Sequence, residues 1–425
     1  MRWAGTGRGV AVRECRSSFP GFPGRTMMNL PEPVALIESL ARADWGMVIV
    51  STGGGSEAIS HLLSAGGASR VVLEAIVPYA TQAVDRLLGG PQELYCSSRT
   101  ARRLAIVGWQ RACLLGTPAP QAVGVAVTAA LRSQQPKRGP HRIFVAVQTL
   151  TATSVVTLCL EKDARSRPEE ERLAAALLLQ RIAVECLGNA AQAFDRPLLA
   201  GEHVQVERQN APQAWQELLA GVRLGVGIET SGHGALAGVT GEHSLAEQHA
   251  PSAQQGLVAP GQLIFPGAFD PLHAGHRRMA EIAERISSQQ VAYELSIVNV
   301  DKPLLDYCEM RTRAAQFTDR TLWLTSAASF LEKTALFPDS TFVMGSDTYT
   351  RLLELKYYGG SVEAATQAVR QIAEKARRII LFDRARDTAC KNLARIDVPQ
   401  QLQAITTAIP VEDFQSDISS TQLRR

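Results

Sequence analysis

The chain has 425 residues, 45% of them hydrophobic and 20% charged, a composition usual for soluble globular protein and a length that exceeds one hydrophobic core. Its formal net charge of +3 leaves no electrostatic footprint for nucleic acid or a membrane surface. No uninterrupted apolar run is long enough to span a bilayer, and the seven scattered cysteines, never in Cys-x-x-Cys spacing, argue against a zinc site or disulfide framework.

Residues 1–28 carry five arginines against one acid and show little periodicity. They fit either an organelle leader or, as a second reading, a misassigned start with translation beginning at Met27 or Met28 or a disordered tail. The lack of an amphipathic helical pattern favours the second, so a cytoplasmic protein is expected. Ordered structure is predicted from "PEPVALIESLARA", where Val34, Leu36, Ile37 and Leu40 suit one helical face. "MVIVSTGGGSEAISHLL" predicts a strand, a glycine turn and a helix. A strand in "ASRVVLEAIVPYA", helices over Val84–Leu88 and Ala101–Cys113, and a strand in "AVGVAVTAAL" follow. "HRIFVAVQT" and "TSVVTLCLE" predict a hairpin, and "RPEEERLAAALLLQRIAVECLGNAAQAF" a long helix with Pro168 and acids at its start. Residues 29–228 thus predict one α/β domain.

Residues 229–261 are rich in Gly, Ala, Ser, Gln and His and predict a linker. Over 262–425 strands and helices alternate again, which predicts a Rossmann-like, doubly wound parallel sheet with helices on both faces. Ligands bind such sheets at the carboxyl ends of the strands.

"FPGAFDPLHAGH", Phe265 to His276, sits at one of those ends. Gly267 lets the chain turn sharply after its strand, and Pro271 fixes the backbone ahead of the helix. His273 and His276 share one face once the helix has begun. They stand beside amides with no intrahelical partner, at the positive end of the helix dipole. Two imidazoles there can donate to phosphate oxygens whose charge grows during nucleotidyl transfer. For an isolated pair, surface coincidence or a core hydrogen-bonding role is the alternative. Metal binding lacks a third clustered ligand nearby, so no protein metal site is expected.

The stretch closely resembles the Gly-x-Phe-Asp-Pro-x-His-x-Gly-His signature of the adenylyl and cytidylyl transferase superfamily. "VMGSD" (Val343–Asp347) resembles its strand-end Gly-x-Asp, and "DISSTQLR" (Asp417–Arg424) its Ile-Ser-Ser-Thr-x-x-Arg motif. Three motifs in the right order are much more specific than one. "ISSTQLR" is most similar to the nicotinate or nicotinamide mononucleotide adenylyltransferases, a step of NAD biosynthesis. Ala268 replaces a usual Ser or Thr.

The resemblance implies that His273 and His276 contact the triphosphate of ATP and that Arg424 holds the departing pyrophosphate. Ser419, Ser420 and Thr421 would cradle phosphates, and Gly267, Phe269, Asp270, Gly275, Gly345 and Asp347 would form the nucleotide site. The partners implied are ATP and a mononucleotide or other phosphate-bearing small molecule. The acceptor's own phosphate is the nucleophile, with Mg²⁺ as cofactor. The region holding the mononucleotide corresponds to "NVDKPLLDYCEMRTR", which makes Lys302 a candidate contact, with Arg311 or Arg313 behind it. Trp323 is a candidate to stack on a pyridine ring, with a core position as the alternative. The other readings are a cytidylyltransferase on a phosphorylated acceptor and a non-catalytic nucleotide-binding regulator.

Residues Leu36 to Leu187 resemble the competence/damage-inducible amidase family, which deamidates nicotinamide mononucleotide. Val50 stands where that family has its nucleophilic Ser and Val84 where it has its Lys, and no lysine precedes Lys137. A degenerate amidase-like domain is expected, serving ancillary binding or homo-oligomerisation. The alternatives are Ser51 or Ser56 as nucleophile with His61 as base, and a mononucleotide phosphate resting on the helix that begins at Ser56.

Overall fold

Alternation along the strands decides which helices lie on which face of each sheet. The computed structural model describes residues 32–135, 138–188, 196–228, 260–382 and 399–409. The expected leader and all but the end of the expected linker lie outside these residues.

In the N-terminal part, helix α1 (Pro33–Arg42) buries Leu36, Ile37 and Leu40, as their spacing predicts. Strand β1 (Gly46–Thr52), helix α2 (Ser56–Leu63), strand β2 (Val72–Ile76), helices α3 (Thr81–Leu88) and α4 (Ser98–Leu114) and strand β3 (Ala122–Ala130) follow. Strands β4 (His141–Gln148) and β5 (Ala152–Leu160) form the expected hairpin, then come α5 (Arg167–Leu187) and β6 (His203–Asn210). The sheet order is β2-β1-β3-β4-β5-β6, parallel over the first three strands and antiparallel over the rest. Met47 and Ile49 pack under α1, α2 and α5, while Val50 packs under α3 and α4. Helix α4 lies directly on β3, because a Cβ on Gly124 would collide with the Ala105 carbonyl.

The second sheet has the order β13-β12-β11-β8-β9-β10-β7. Its elements are α6 (Gln213–Leu219), β7 (Gly225–Ile228), β8 (Leu263–Pro266), α7 (Ala274–Ser287), β9 (Val291–Ser296), α8 (Tyr307–Ala314) and β10 (Leu322–Thr325). Helix α9 (Phe330–Leu336), β11 (Thr341–Gly345), α10 (Ser346–Leu352), α11 (Val362–Lys375), β12 (Arg378–Phe382), α12 (Gln400–Ile405) and β13 (Thr406–Ile409) complete it. All pairings are parallel except β7 with β10. Val343 and Ile380 face one core, with α7 and α8, while Phe342 and Ile379 face the other, with α11 and α12. This is the doubly wound sheet the alternation predicts. Its order reverses at β8, which lies between β9 and β11, so a ligand crevice is expected at the carboxyl end of β8.

The boundary predicted at residue 228 falls in a different place. Strand β7 pairs with β10, and Trp215 of α6 stacks on Tyr307 of α8 with ring centroids 6.4 Å apart. Ile106 and Trp109 of α4 share one apolar core with Phe265 and Leu295. The physical reason is edge protection: β10 would otherwise expose its ladder, and the short glycine-containing β7 covers it. Among the described residues no helix is long and apolar enough to cross a membrane, and Cys96, Cys113, Cys159, Cys186 and Cys308 are free thiols.

Candidate functional site

The turn after β8 is built around a buried ring. Gly267 continues the ladder by donating its N–H to the Glu294 carbonyl at 2.9 Å. A Cβ at Gly267 would stand 2.5 Å from the Phe269 ring, so only glycine fits. Phe269 adopts φ 45, in the left-handed region that a bulky residue occupies only when its surroundings hold it there. Its ring, 1% exposed, meets Phe265, Tyr293 and Phe317 edge-on at centroid distances of 5.3 to 5.5 Å. Gln316 brackets the turn, donating to the Phe269 carbonyl at 2.8 Å and accepting from the Leu272 N–H at 2.7 Å. The Asp270–Pro271 peptide is cis. Phe269, expected at the nucleotide, therefore supports the turn from below.

Helix α7 starts at the histidines. His273 is the N-cap and is buried. His276 lies in the first turn, its ring stacked on that of His273 with centroids 3.7 Å apart and an interplanar angle of 23°. The His273 N–H donates to Nδ1 of His276 at 3.3 Å. An Nδ1 that accepts leaves the proton of a neutral imidazole on Nε2, where it can be donated to a ligand. Phe265 and Phe269 hold the His276 ring edge-on at 6.0 and 5.3 Å. The shared face predicted from the three-residue spacing is thus a pair of stacked rings at a helix start, and Gly275 of the first turn is buried.

A cleft of about 380 Å³ opens beside this turn, lined by Gly267, Ala268 and Asp270 and reached by both halves of the chain. Neither imidazole is among its lining residues. From the N-terminal part α4 contributes Arg99 and Arg103; α8 supplies Glu309 and Arg313, with Asp306 just ahead of it. Arg99 meets Asp270 at 2.5 Å and Glu309 at 3.0 Å. Arg102 meets Asp306 at 3.1 Å and Glu309 at 3.4 Å. Arg313 meets Glu309 at 3.0 Å and Asp270 at 3.3 Å, and donates to the Ala268 carbonyl at 3.0 Å. Burial pushes the Glu309 carboxyl up, but Arg313 and Arg99 outweigh it and hold the group below its usual range. Burial dominates at Asp306, whose carboxyl is pushed up despite Arg102. Asp306 also caps α8, accepting from the Glu309 N–H at 3.0 Å.

The remaining expected residues divide. Lys302 lines the cleft. Gly345 ends β11 with open space above it, and Asp347 is exposed in the first turn of α10. Arg311 turns away and donates to Gln209 at 2.6 Å, so Arg313, two residues on, is the cleft arginine of α8. Trp323, half-buried, packs against Gly227 and Phe337 at the edge of a core, a position set by the β7 pairing. Ser419, Ser420, Thr421 and Arg424 lie outside the described residues. Among the described residues no group of three or more His, Cys, Asp or Glu could hold a metal ion. Sequence reasoning missed Arg99, Arg102, Arg103 and Gln316. A signal existed for the arginines: three cations in the first two turns of a helix oppose its dipole unless acids or an anion face them.

The glycine turn of the first sheet lines a cleft of about 450 Å³, and its polar groups are engaged within the chain. Ser51 is buried and donates to the Gly54 carbonyl at 2.9 Å, and Arg167 donates to the Gly53 carbonyl at 2.9 Å. Glu171 accepts from the Ser56 hydroxyl at 3.1 Å and the Glu57 N–H at 3.3 Å, so a carboxylate of the protein takes the place expected for a mononucleotide phosphate. Ser51 and Ser56 are both engaged in these bonds, and Val50 is buried in the core.

No curated protein matches the chain. Solved structures resemble the N-terminal part. A competence-damaged protein (CinA) superfamily protein from Escherichia coli is 16% identical with a TM-score of 0.30, covering 37% of this chain and 94% of its own. The competence damage-inducible protein A (ComA) from Klebsiella pneumoniae subsp. pneumoniae MGH 78578 is 14% identical with a TM-score of 0.31, covering 37% and 99%. The competence/damage inducible protein CihA from Agrobacterium tumefaciens is 19% identical with a TM-score of 0.28, covering 37% and 98%. Residues 264–425 match the family model described as cytidylyltransferase-like. The part of the chain that carries the stacked histidines and the switch-point strand is a cytidylyltransferase-like nucleotidyltransferase domain.

Proposed function

We propose that the chain transfers the adenylyl group of ATP to the phosphate of nicotinamide or nicotinic acid mononucleotide. The observation that carries this reading is the stacked pair His273 and His276 at the start of α7, directly past the central strand β8. Helix-start amides and an imidazole whose proton lies on Nε2 suit a triphosphate whose charge increases as it reacts. The acceptor's phosphate oxygen attacks the α-phosphorus. A new P–O–P bond forms as the bond from that phosphorus to its bridging oxygen breaks, and pyrophosphate leaves with the electron pair. No protein nucleophile is needed, so the chain's task is to align two phosphates and exclude water. Mg²⁺ would enter on the triphosphate and neutralise its charge, since the described residues offer no cage of their own. The "ISSTQLR" resemblance supports the mononucleotide as acceptor.

The test is pyrophosphate release by the full chain with ATP or CTP and Mg²⁺. Nicotinamide mononucleotide, nicotinic acid mononucleotide, phosphopantetheine and glycerol phosphate serve as acceptors. Turnover with ATP and a pyridine mononucleotide is the expected result. Turnover with CTP alone replaces the donor, and ATP binding without turnover replaces the enzyme with a nucleotide-binding regulator.

A further inference from the structure

Among the described residues one guanidinium in the cleft makes no ion pair, though Glu309 and Asp270 act on it at longer range. Arg103 of α4 lines it from the N-terminal side, half-buried, and among the described residues its hydrogen bond goes to Gln92 Oε1 at 2.8 Å. Its neighbours are matched: Arg99, Arg102 and Arg313 pair with Asp270, Asp306 and Glu309. Glu93 also reaches Arg99, at 3.7 Å, so the acids of the cleft are taken up by the other arginines and Arg103 is left with a neutral hydrogen-bond partner in a partly desolvated wall. Burial first, and then the repulsion of Arg99, pull its guanidinium below the usual value. A cation in that setting is stabilised by an arriving anion.

The loop between α3 and α4 adds a second, independent fit. Gly89 adopts φ 71 and sits so close to the Asp301 carbonyl that any side chain would collide. Tyr357 donates to Asp301 Oδ2 at 2.7 Å from the other side. These contacts fix the segment carrying Lys302, which lines the same cleft as Arg103. The N-terminal part thus supplies one cation and, through Gly89, positions another.

We propose that the N-terminal part builds the acceptor subsite of the transferase: Arg103 binds the phosphate monoester of the acceptor, with Lys302 on the same cleft. This rests on the transferase reading above and gives the amidase-like part a role in that reaction. A guanidinium fork takes two phosphate oxygens in parallel charge-assisted bonds and leaves the third to attack. A lysine offers a point charge without the fork, so Arg103→Lys keeps charge but not geometry.

Two measurements separate this proposal from the reading beneath it. In steady-state turnover, Arg103→Ala raises KM for the acceptor about 10- to 100-fold, the loss of a charged hydrogen-bond pair, while KM for ATP stays within about twofold. Arg103→Lys falls between the two. A rise confined to ATP, or equal for both substrates, overturns the assignment. The second measurement needs no turnover: the wild-type Tm rises on titration with inorganic phosphate, and part of that rise is lost in Arg103→Ala and regained in Arg103→Lys. An Arg103-dependent phosphate shift without turnover sinks the transferase reading and keeps the anion subsite. An unaltered shift in Arg103→Ala, or none in the wild type, overturns the subsite whatever the turnover.

Discussion

Each sheet carries a parallel strand that runs into a glycine turn and then a helix, and the two turns treat the helix's first amides in opposite ways. After β1, Glu171 reaches from α5 to accept from the Glu57 N–H and the Ser56 hydroxyl, and Arg167 ties down the Gly53 carbonyl. After β8, the acids stand one step back. Asp270 and Glu309 are held by arginines, and the helix start is left to two stacked imidazoles. The local grammar of strand, glycine and helix is shared. The difference lies in whether the protein's own carboxylate already fills the anion site.

The largest effect that sharpens this contrast is expected at His276. Replacing it by Ala removes a donor that strengthens as charge develops, so kcat falls about 100- to 1000-fold while the Kd for ATP changes only a few-fold. Calorimetric ATP binding beside pre-steady-state turnover decides it. Losses of the same size in both would make the histidine a ground-state contact only.

Next comes the acid that holds the arginines back. Glu309→Gln breaks a buried ionic group and is expected to cost about 3 kcal/mol at pH 7, read from urea unfolding. The pH dependence has a defined sign. Because Arg313 and Arg99 hold the Glu309 carboxyl down, its stabilisation is present above the usual value of 4.5 and lost as the pH falls through the folded value. The acid limb of stability should therefore be flatter in Glu309→Gln. Asp306 is pushed up by burial and also by the Glu309 charge, so in Glu309→Gln its proton uptake moves down, a change that opposes the loss of the Glu309 limb. An acid limb of the same slope in both would remove Glu309 from the pairing.

A smaller effect is expected from Gly267→Ala. The added Cβ meets the Phe269 ring at 2.5 Å, so overpacking costs about 1–3 kcal/mol and lowers Tm. Adding Phe269→Leu should restore part of the loss, since the clash and not the backbone is the cause. If the double variant is less stable than either single one by the full sum, the ring is not what demands the glycine.

How much of this was legible in the sequence follows from how local each feature is. The turn at Gly267, the histidine pair and the parallel sheet depend on neighbours within one strand–turn–helix, and the motif read them directly. Lys302, a candidate acceptor contact from the resemblance and its position past a strand, lines the cleft. Arg311 and Arg313 are two apart on a helix, so they face different ways, and only the packing of α8 against α4 selects Arg313. Arg99 and Arg102 lie about 170 to 210 positions from the acids they meet, and no local pattern carries that pairing. Strand β7 is four residues with two glycines, below what strand periodicity can register, yet it covers one face of Trp323.

The smallest effect tests the first turn itself. Ser51 is 1% exposed, and its hydroxyl is bonded to the Gly54 carbonyl. If that bond is purely structural, Ser51→Ala loses about 1 kcal/mol, a fall in Tm of about 2–4 °C, and changes no rate. A nucleophile behaves differently: its removal abolishes an activity and often leaves stability intact, because strained catalytic groups are seldom stabilising. Incubating wild type and Ser51→Ala with nicotinamide mononucleotide and following ammonia release separates the two roles. Ammonia from the wild type that vanishes in Ser51→Ala would mean that the Ser51 hydroxyl leaves the Gly54 carbonyl in solution and serves the cleft beside it. The two turns would then differ in how often the carboxylate of Glu171 leaves, not in whether it is there.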